Sequence, residues 1–171
     1  MATTRRLSTG LLVALLAAVL VGPGGGEVTA AEPRVTVRHI MVPAAAFIPS
    51  MDGLDYFNGG GVLEMNSGLG TFTAPLLFPA IVVDIRRITL YAYDNAPSSV
   101  CVALYRAYPP GASQVYAGQV CTTGASATDP QVLYTTTLSP RQVNTALHGP
   151  FLALVLSGDT KFYGVKVTYS Y

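Results

Sequence analysis

The chain has 171 residues, half of them hydrophobic, with 11% charged residues and a formal net charge of +1; soluble domains typically carry about 25% charge. This balance excludes the basic stripe that nucleic acid requires. It leaves little charge for solubility, so Ser, Thr, Gly, Ala, Asn, Gln and Tyr must cover the surface of what the length allows as one domain.

Residues 1–31 read as a secretory signal peptide. Arg5 and Arg6 precede an apolar run at 11–21, too short to span a bilayer comfortably. Gly22-Pro23-Gly24-Gly25-Gly26 breaks any helix, and Val28-Thr29-Ala30 fits cleavage after Ala30 or Ala31. Left uncleaved, this segment would be the chain's one membrane contact. The expected location is therefore secreted and extracellular, where disulfides persist. From Glu32 onward basic and acidic side chains balance.

Residues 32–171 read as a single domain of short strands. In 34–42 (RVTVRHIMV), Val35, Val37, His39 and Met41 share one face and Thr36, Arg38, Ile40 and Val42 the other; Pro43 ends the strand. Residues 51–61 (MDGLDYFNGGG) are loop by composition. Short strands follow at 61–66 and 70–73. Residues 81–93 (IVVDIRRITLYAY) carry the strongest β pattern, with a bend expected near Asp84. Ile88, Leu90 and Ala92 then point one way, Thr89, Tyr91 and Tyr93 the other, before a turn at Asp94-Asn95-Ala96-Pro97.

The next stretch, VCVALYRAYPPGASQVYAGQVCT, reads as a hairpin closed by the only two cysteines. Cys101 and Cys121 are symmetric about Gly111 in a Pro-Pro-Gly turn. Opposed residues of an antiparallel pair have a constant index sum, so the register sets the two sulfurs opposite each other, within disulfide range. Val100, Val102 and Leu104 face the core; Cys101, Ala103 and Tyr105 lie outside. Residues 131–138 form a further strand, and 139–150 hold a short ordered piece near Val143. Residues 151–157 (FLALVLS) are apolar on both faces, as in a central strand covered on both sides or meeting another subunit. Residues 161–171 close the chain, expected to alternate with Phe162 and Gly164 on one face and Tyr163 and Val165 on the other. First and last strands are expected to be neighbours.

No helical period is available for parallel crossovers. The fold class is therefore all-β: an antiparallel β-sandwich of jelly-roll or Greek-key type, with about 8–10 strands. The segments PAAAF (43–47), APLLFP (74–79), ITLYAYDN (88–95), VALYR (102–106) and YGVKVTY (163–169), with the Gly-rich loop between the first two, resemble small exported bacterial proteins of uncharacterised function. The resemblance implies export and a β-sandwich, and no activity or site.

Chemistry is sparsely supplied. His39 and His148 are far apart without neighbouring ligands, so no metal site is expected from them. Asp52, Asp55 and Asn58 place oxygens on one loop, a candidate calcium site short of the usual carboxylate supply. Neither a G-x-S-x-G elbow nor an S-x-x-K occurs, so no catalytic residue is expected. The ten tyrosines are the most suggestive group: Tyr91, Tyr93 and Tyr105 are the candidate ligand or partner surface. The expected function is that of a secreted, non-catalytic protein with a structural or interaction role, its partner a second copy of itself. The alternative is a carbohydrate-binding module that holds extracellular glycan through tyrosines and loop carboxylates.

Overall fold

The computed structural model describes residues 35–97, 99–109, 113–126 and 130–171; the signal-peptide reading lies outside them, as do Asp129 and the tip of the cysteine hairpin. The described residues fold into two antiparallel sheets. The strands are β1 (Val37–Pro43), β2 (Ile48–Pro49), β3 (Tyr56–Gly59), β4 (Val62–Met65), β5 (Leu69–Pro75), β6 (Val82–Asp94), β7 (Cys101–Tyr108), β8 (Ser113–Cys121), β9 (Gln131–Thr135), β10 (Gln142–Asn144), β11 (Gly149–Ser157) and β12 (Thr160–Ser170). Twelve strands replace the expected 8–10, because pieces as short as two residues join the ladders. One of them, β3, falls inside the expected loop 51–61. It pairs with β4 through Gly60-Gly61, both at positive φ, a geometry that closes tight hairpins.

The seven-stranded sheet is centred on β12 and β6. β12 pairs with β6 on one side, and with β1 and β4 along successive stretches of the other; β9 and β10 pair with the far side of β6, and β3 pairs with β4. First and last strands are thus neighbours, as expected. The five-stranded sheet runs β2-β5-β11-β7-β8, with the two-sided apolar β11 at its centre. Leu152, Leu154 and Leu156 of β11 are fully buried in the same core cluster as Leu90, Phe162, Val165 and Val167 of the other sheet.

Two bulges alter the expected faces. In β12 the register with β6 shifts between Phe162 and Gly164, so Tyr163 is extra. Phe162 consequently lies on the core side with Val165 and Val167, and is fully buried. This corrects the simple alternation, which paired Phe162 with Gly164. In the cysteine hairpin the shift falls at Leu104/Tyr105, leaving Ala117 extra. Pairs before it keep the index sum of Cys101↔Cys121, and pairs beyond it do not.

The disulfide itself is present, with the two Cα atoms 4.1 Å apart on directly opposed residues. It sits on the outer face, opposite the core residues Val102 and Val120. A bridge over 20 residues would contribute about 3 kcal/mol from chain entropy alone, and less here because the hairpin already restrains that loop. Replacing both cysteines by alanine should therefore lower the unfolding free energy in urea by about 2 kcal/mol, with the native sheet retained.

Candidate functional site

The strand register brings four side chains into one row across the outer face of the seven-stranded sheet. Phe57 of β3 stands opposite Glu64 of β4, Glu64 opposite Lys161 of β12, and Lys161 opposite Tyr93 of β6. Each is outward for a local reason. Leu63 and Met65 are buried, so Glu64 between them points away. Ala92 and Asp94 are fully buried, so Tyr93 does the same. Tyr56 packs inward on Phe72, with ring centroids 5.2 Å apart, which turns Phe57 to solvent. Lys161 Nζ lies 3.3 Å from Glu64 Oε1. The middle of the row is a half-exposed ion pair, and its ends are aromatic.

A cleft of about 500 Å³ opens beside this row, lined by Glu64, Met65, Tyr93, Asn95, Asp159, Thr160 and Lys161. Two turns complete it. Asp159, in the β11–β12 turn, has φ 65, a left-handed conformation uncommon outside glycine. Thr160 donates its hydroxyl to the Ser157 carbonyl at 2.5 Å, and Gly158 N–H donates to Gly68 O at 2.9 Å, so this turn is held from both sides. Asn95 follows β6 and is positioned by its neighbour. Asp94 is fully buried and accepts from Ala96 N–H at 3.0 Å and from the Thr122 hydroxyl. Its backbone carbonyl accepts from Ser126 N–H at 2.8 Å. Asp94 thereby joins the end of β6 to the segment leaving β8. Sequence reading placed it in a turn; it is the last inward residue of a strand.

Of the three candidate tyrosines, Tyr91 and Tyr93 share this outer face, as expected. Tyr105 does not join them. It belongs to the other sheet, in a row with Phe151 and Tyr116. The expected single tyrosine surface is therefore corrected to two surfaces on opposite sides of the sandwich. The error was to treat β6 and β7 as neighbours because they are consecutive; the chain changes sheets between them. Phe57, Glu64, Lys161, Asn95 and Asp159 were missed as a group. The buried–exposed–buried pattern around Glu64 signals its direction, and nothing in the sequence signals that β4 pairs with β12.

Asp52, Asp55 and Asn58 stand along the segment into β3. Asp55 Oδ1 accepts from Asn66 Nδ2 at 2.6 Å, and Asn58 Nδ2 donates to the Phe47 carbonyl at 3.4 Å. Among the described residues no three His, Cys, Asp or Glu side chains gather as a metal-binding group. His39 is exposed and its Nδ1 lies 3.1 Å from Thr168 Oγ1; His148 packs edge-on against Tyr108 at 4.4 Å.

No family model matches the sequence, and no curated protein matches it. The sequence comparisons thus return no family of small exported proteins. Similar solved structures include the C-terminal CBM6 of LamC, a marine laminarinase from Zobellia galactanivorans, with TM-score 0.51, 10% identity, and coverage of 77% of this chain and 99% of that one. They also include the CBM36-1 domain of a multidomain xylanase from the hindgut metagenome of Trinervitermes trinervoides, with TM-score 0.45, 14% identity, and coverage of 78% and 97%. The first likeness establishes the β-sandwich fold and nothing finer.

Proposed function

We propose that this chain is an exported, non-catalytic β-sandwich that binds neutral glycan in the cleft beside Tyr93. The observation that carries the reading is the row Phe57–Glu64–Lys161–Tyr93 with Asn95 and Asp159 at its end. Sugars present apolar C–H faces and a rim of hydroxyls. An outward tyrosine ring offers area to the first at low entropic cost. Carboxylate, ammonium and amide groups offer acceptors and donors to the second, and hydrogen bonds to charged groups are the stronger kind. The charges also favour a neutral ligand. Lys161 is matched by Glu64 and outnumbered once Asp159 is added, so the cleft presents no positive field to an anionic polymer. The laminarinase module that shares the fold is a carbohydrate-binding module, CBM6, which supports this reading over an unspecified interaction role. The disulfide supports export.

The test is a glycan array read with calcium present and with chelator, followed by calorimetry on the hits. Binding of a neutral oligosaccharide is expected, recovered uncleaved. Tyr93→Ala should weaken it by about 5- to 30-fold, the range for a contact residue whose truncation costs about 1–2 kcal/mol. An array without hits in either condition would sink the reading, as would unchanged affinity in Tyr93→Ala.

A further inference from the structure

The outer face of the five-stranded sheet differs in kind from the glycan cleft. Register fixes its rows: Pro75, Phe151, Tyr105 and Tyr116; then Ile48, Thr73, Ala153, Ala103 and Gln119; then Thr71, Val155 and the Cys101–Cys121 bridge. Among these described residues there is no Asp, Glu, Lys or Arg. The aromatic row is ordered, Tyr105 stacking on Phe151 at 5.4 Å and meeting Tyr116 edge-on at 5.7 Å. Ile48 is 61% exposed and Tyr116 48%. Isolated apolar residues on a surface are ordinary, but a contiguous uncharged sheet face of this extent marks an interaction site.

We infer that this face pairs with the same face of a second copy of the chain, giving a back-to-back dimer about a two-fold axis. Three observations choose that occupant. Size is the first. Four long strands, each about 4.8 Å wide, and seven paired residues at about 3.3 Å each span roughly 19 by 23 Å, with the two-residue β2 at one edge. Two such faces bury roughly 900 Å² in total, the size of a weak, reversible interface. Charge is the second: a face without charge meets itself with no like-charge repulsion, whereas a charged partner would leave its own groups desolvated and unpaired. The third is β11, whose outward Phe151, Ala153 and Val155 make the strand apolar on its solvent side as well as its core side, at the centre of the sheet. An isologous contact places this two-sided strand at the middle of the interface. Such a dimer directs its two Tyr93 clefts away from each other, able to bridge separate glycan chains with gain in avidity. Bivalence rests on the glycan reading; dimerisation does not.

The test is sedimentation equilibrium of the chain from residue 32 on, which contains the whole core. Twice the chain mass is expected at tens of micromolar. Ala153→Glu places a carboxylate at the centre of the face and should raise the dissociation constant about 100-fold or more, since like charges brought together cost several kcal/mol. Tyr116→Lys, at the exposed edge, tests the same face with little demand on the fold; melting curves report whether each variant is native. A wild type that stays monomeric at high micromolar concentration overturns the proposal. A dimer that survives both native variants does so too, because it then uses another surface. A monomer that sediments with an insoluble neutral polysaccharide, and loses it in Ala153→Glu, assigns the face to that polymer instead.

Discussion

Asp94→Ala is expected to lower the unfolding free energy by about 3 kcal/mol and, in the folded variant, to weaken the proposed glycan binding. The carboxylate is fully buried at the end of β6 and accepts from Ala96 N–H and the Thr122 hydroxyl. Thr122 in turn accepts from Val100 N–H at 2.8 Å and donates its own N–H to the Val100 carbonyl at 2.9 Å. One side chain therefore ties the last inward position of the seven-stranded sheet to the ends of β7 and β8 in the other. Alanine removes the acceptor and leaves buried donors unmet, each at about 1–3 kcal/mol. Asp94→Asn separates shape from chemistry. The amide oxygen can keep the Ala96 bond, while the Thr122 hydroxyl meets a second donor, so a smaller loss of about 1–2 kcal/mol is expected. Urea unfolding gives these values. Titration of the glycan at a temperature where both variants remain folded then shows whether Tyr93 and Asn95, on either side of Asp94, have moved. Equal affinity in wild type and Asp94→Ala would mean that Asp94 does not position the cleft.

The second large effect is expected at Gly164, where alanine should lower the unfolding free energy by about 2–4 kcal/mol. Gly164 follows the bulged Tyr163 in β12, between Pro43 of β1 and Tyr91 of β6. Its φ of +150 is a conformation that L side chains rarely adopt, and an added Cβ would come within 2.7 Å of the Val42 carbonyl oxygen. The backbone of β1 cannot yield without breaking its ladder with β12. Gly149→Ala is the internal control. That glycine is also in a strand, yet a Cβ there meets nothing within 4 Å, so a change within about 0.5 kcal/mol is expected. Similar losses at both glycines in urea titrations would show that the close approach at Gly164 has no energetic weight. The bulge also matters for the site. By absorbing one residue at Tyr163 it keeps Val165 and Val167 in the core while Lys161, two positions before it, still faces outward beside Glu64 and Tyr93.

Legibility followed the range of the interaction. Alternation of apolar and polar residues shows which side of a strand is buried, and it placed Ile88, Leu90 and Ala92 inward with Tyr91 and Tyr93 outward. It failed at residues 162–164, where the extra Tyr163 reverses the phase. The alternation is local, and the bulge exists only in the pairing of β12 with β6, a strand far away in sequence. The cysteine pair was legible because a hairpin is the one β pairing whose partner lies nearby in the chain. Even there the bulge at Ala117 was not, since Gly118 accommodates Thr137 and Leu138 from outside the hairpin; a Cβ at Gly118 would lie 2.7 Å from the Thr137 carbonyl oxygen.

By itself, then, the sequence determined an all-β chain, a neutral and weakly charged surface, the disulfide, and the direction of most side chains from their own strands. Those follow from composition, period-two patterning and turn chemistry, all of which act within a few residues. Only the tertiary structure decided which strands are neighbours. That choice depends on how two sheets bury their apolar faces together, and consecutive strands such as β6 and β7 end in different sheets. It sent Tyr105 to the uncharged face opposite Tyr93. It also gathered Phe57, Glu64 and Lys161, from three separate strands, beside Tyr93 into the row on which the proposed function rests.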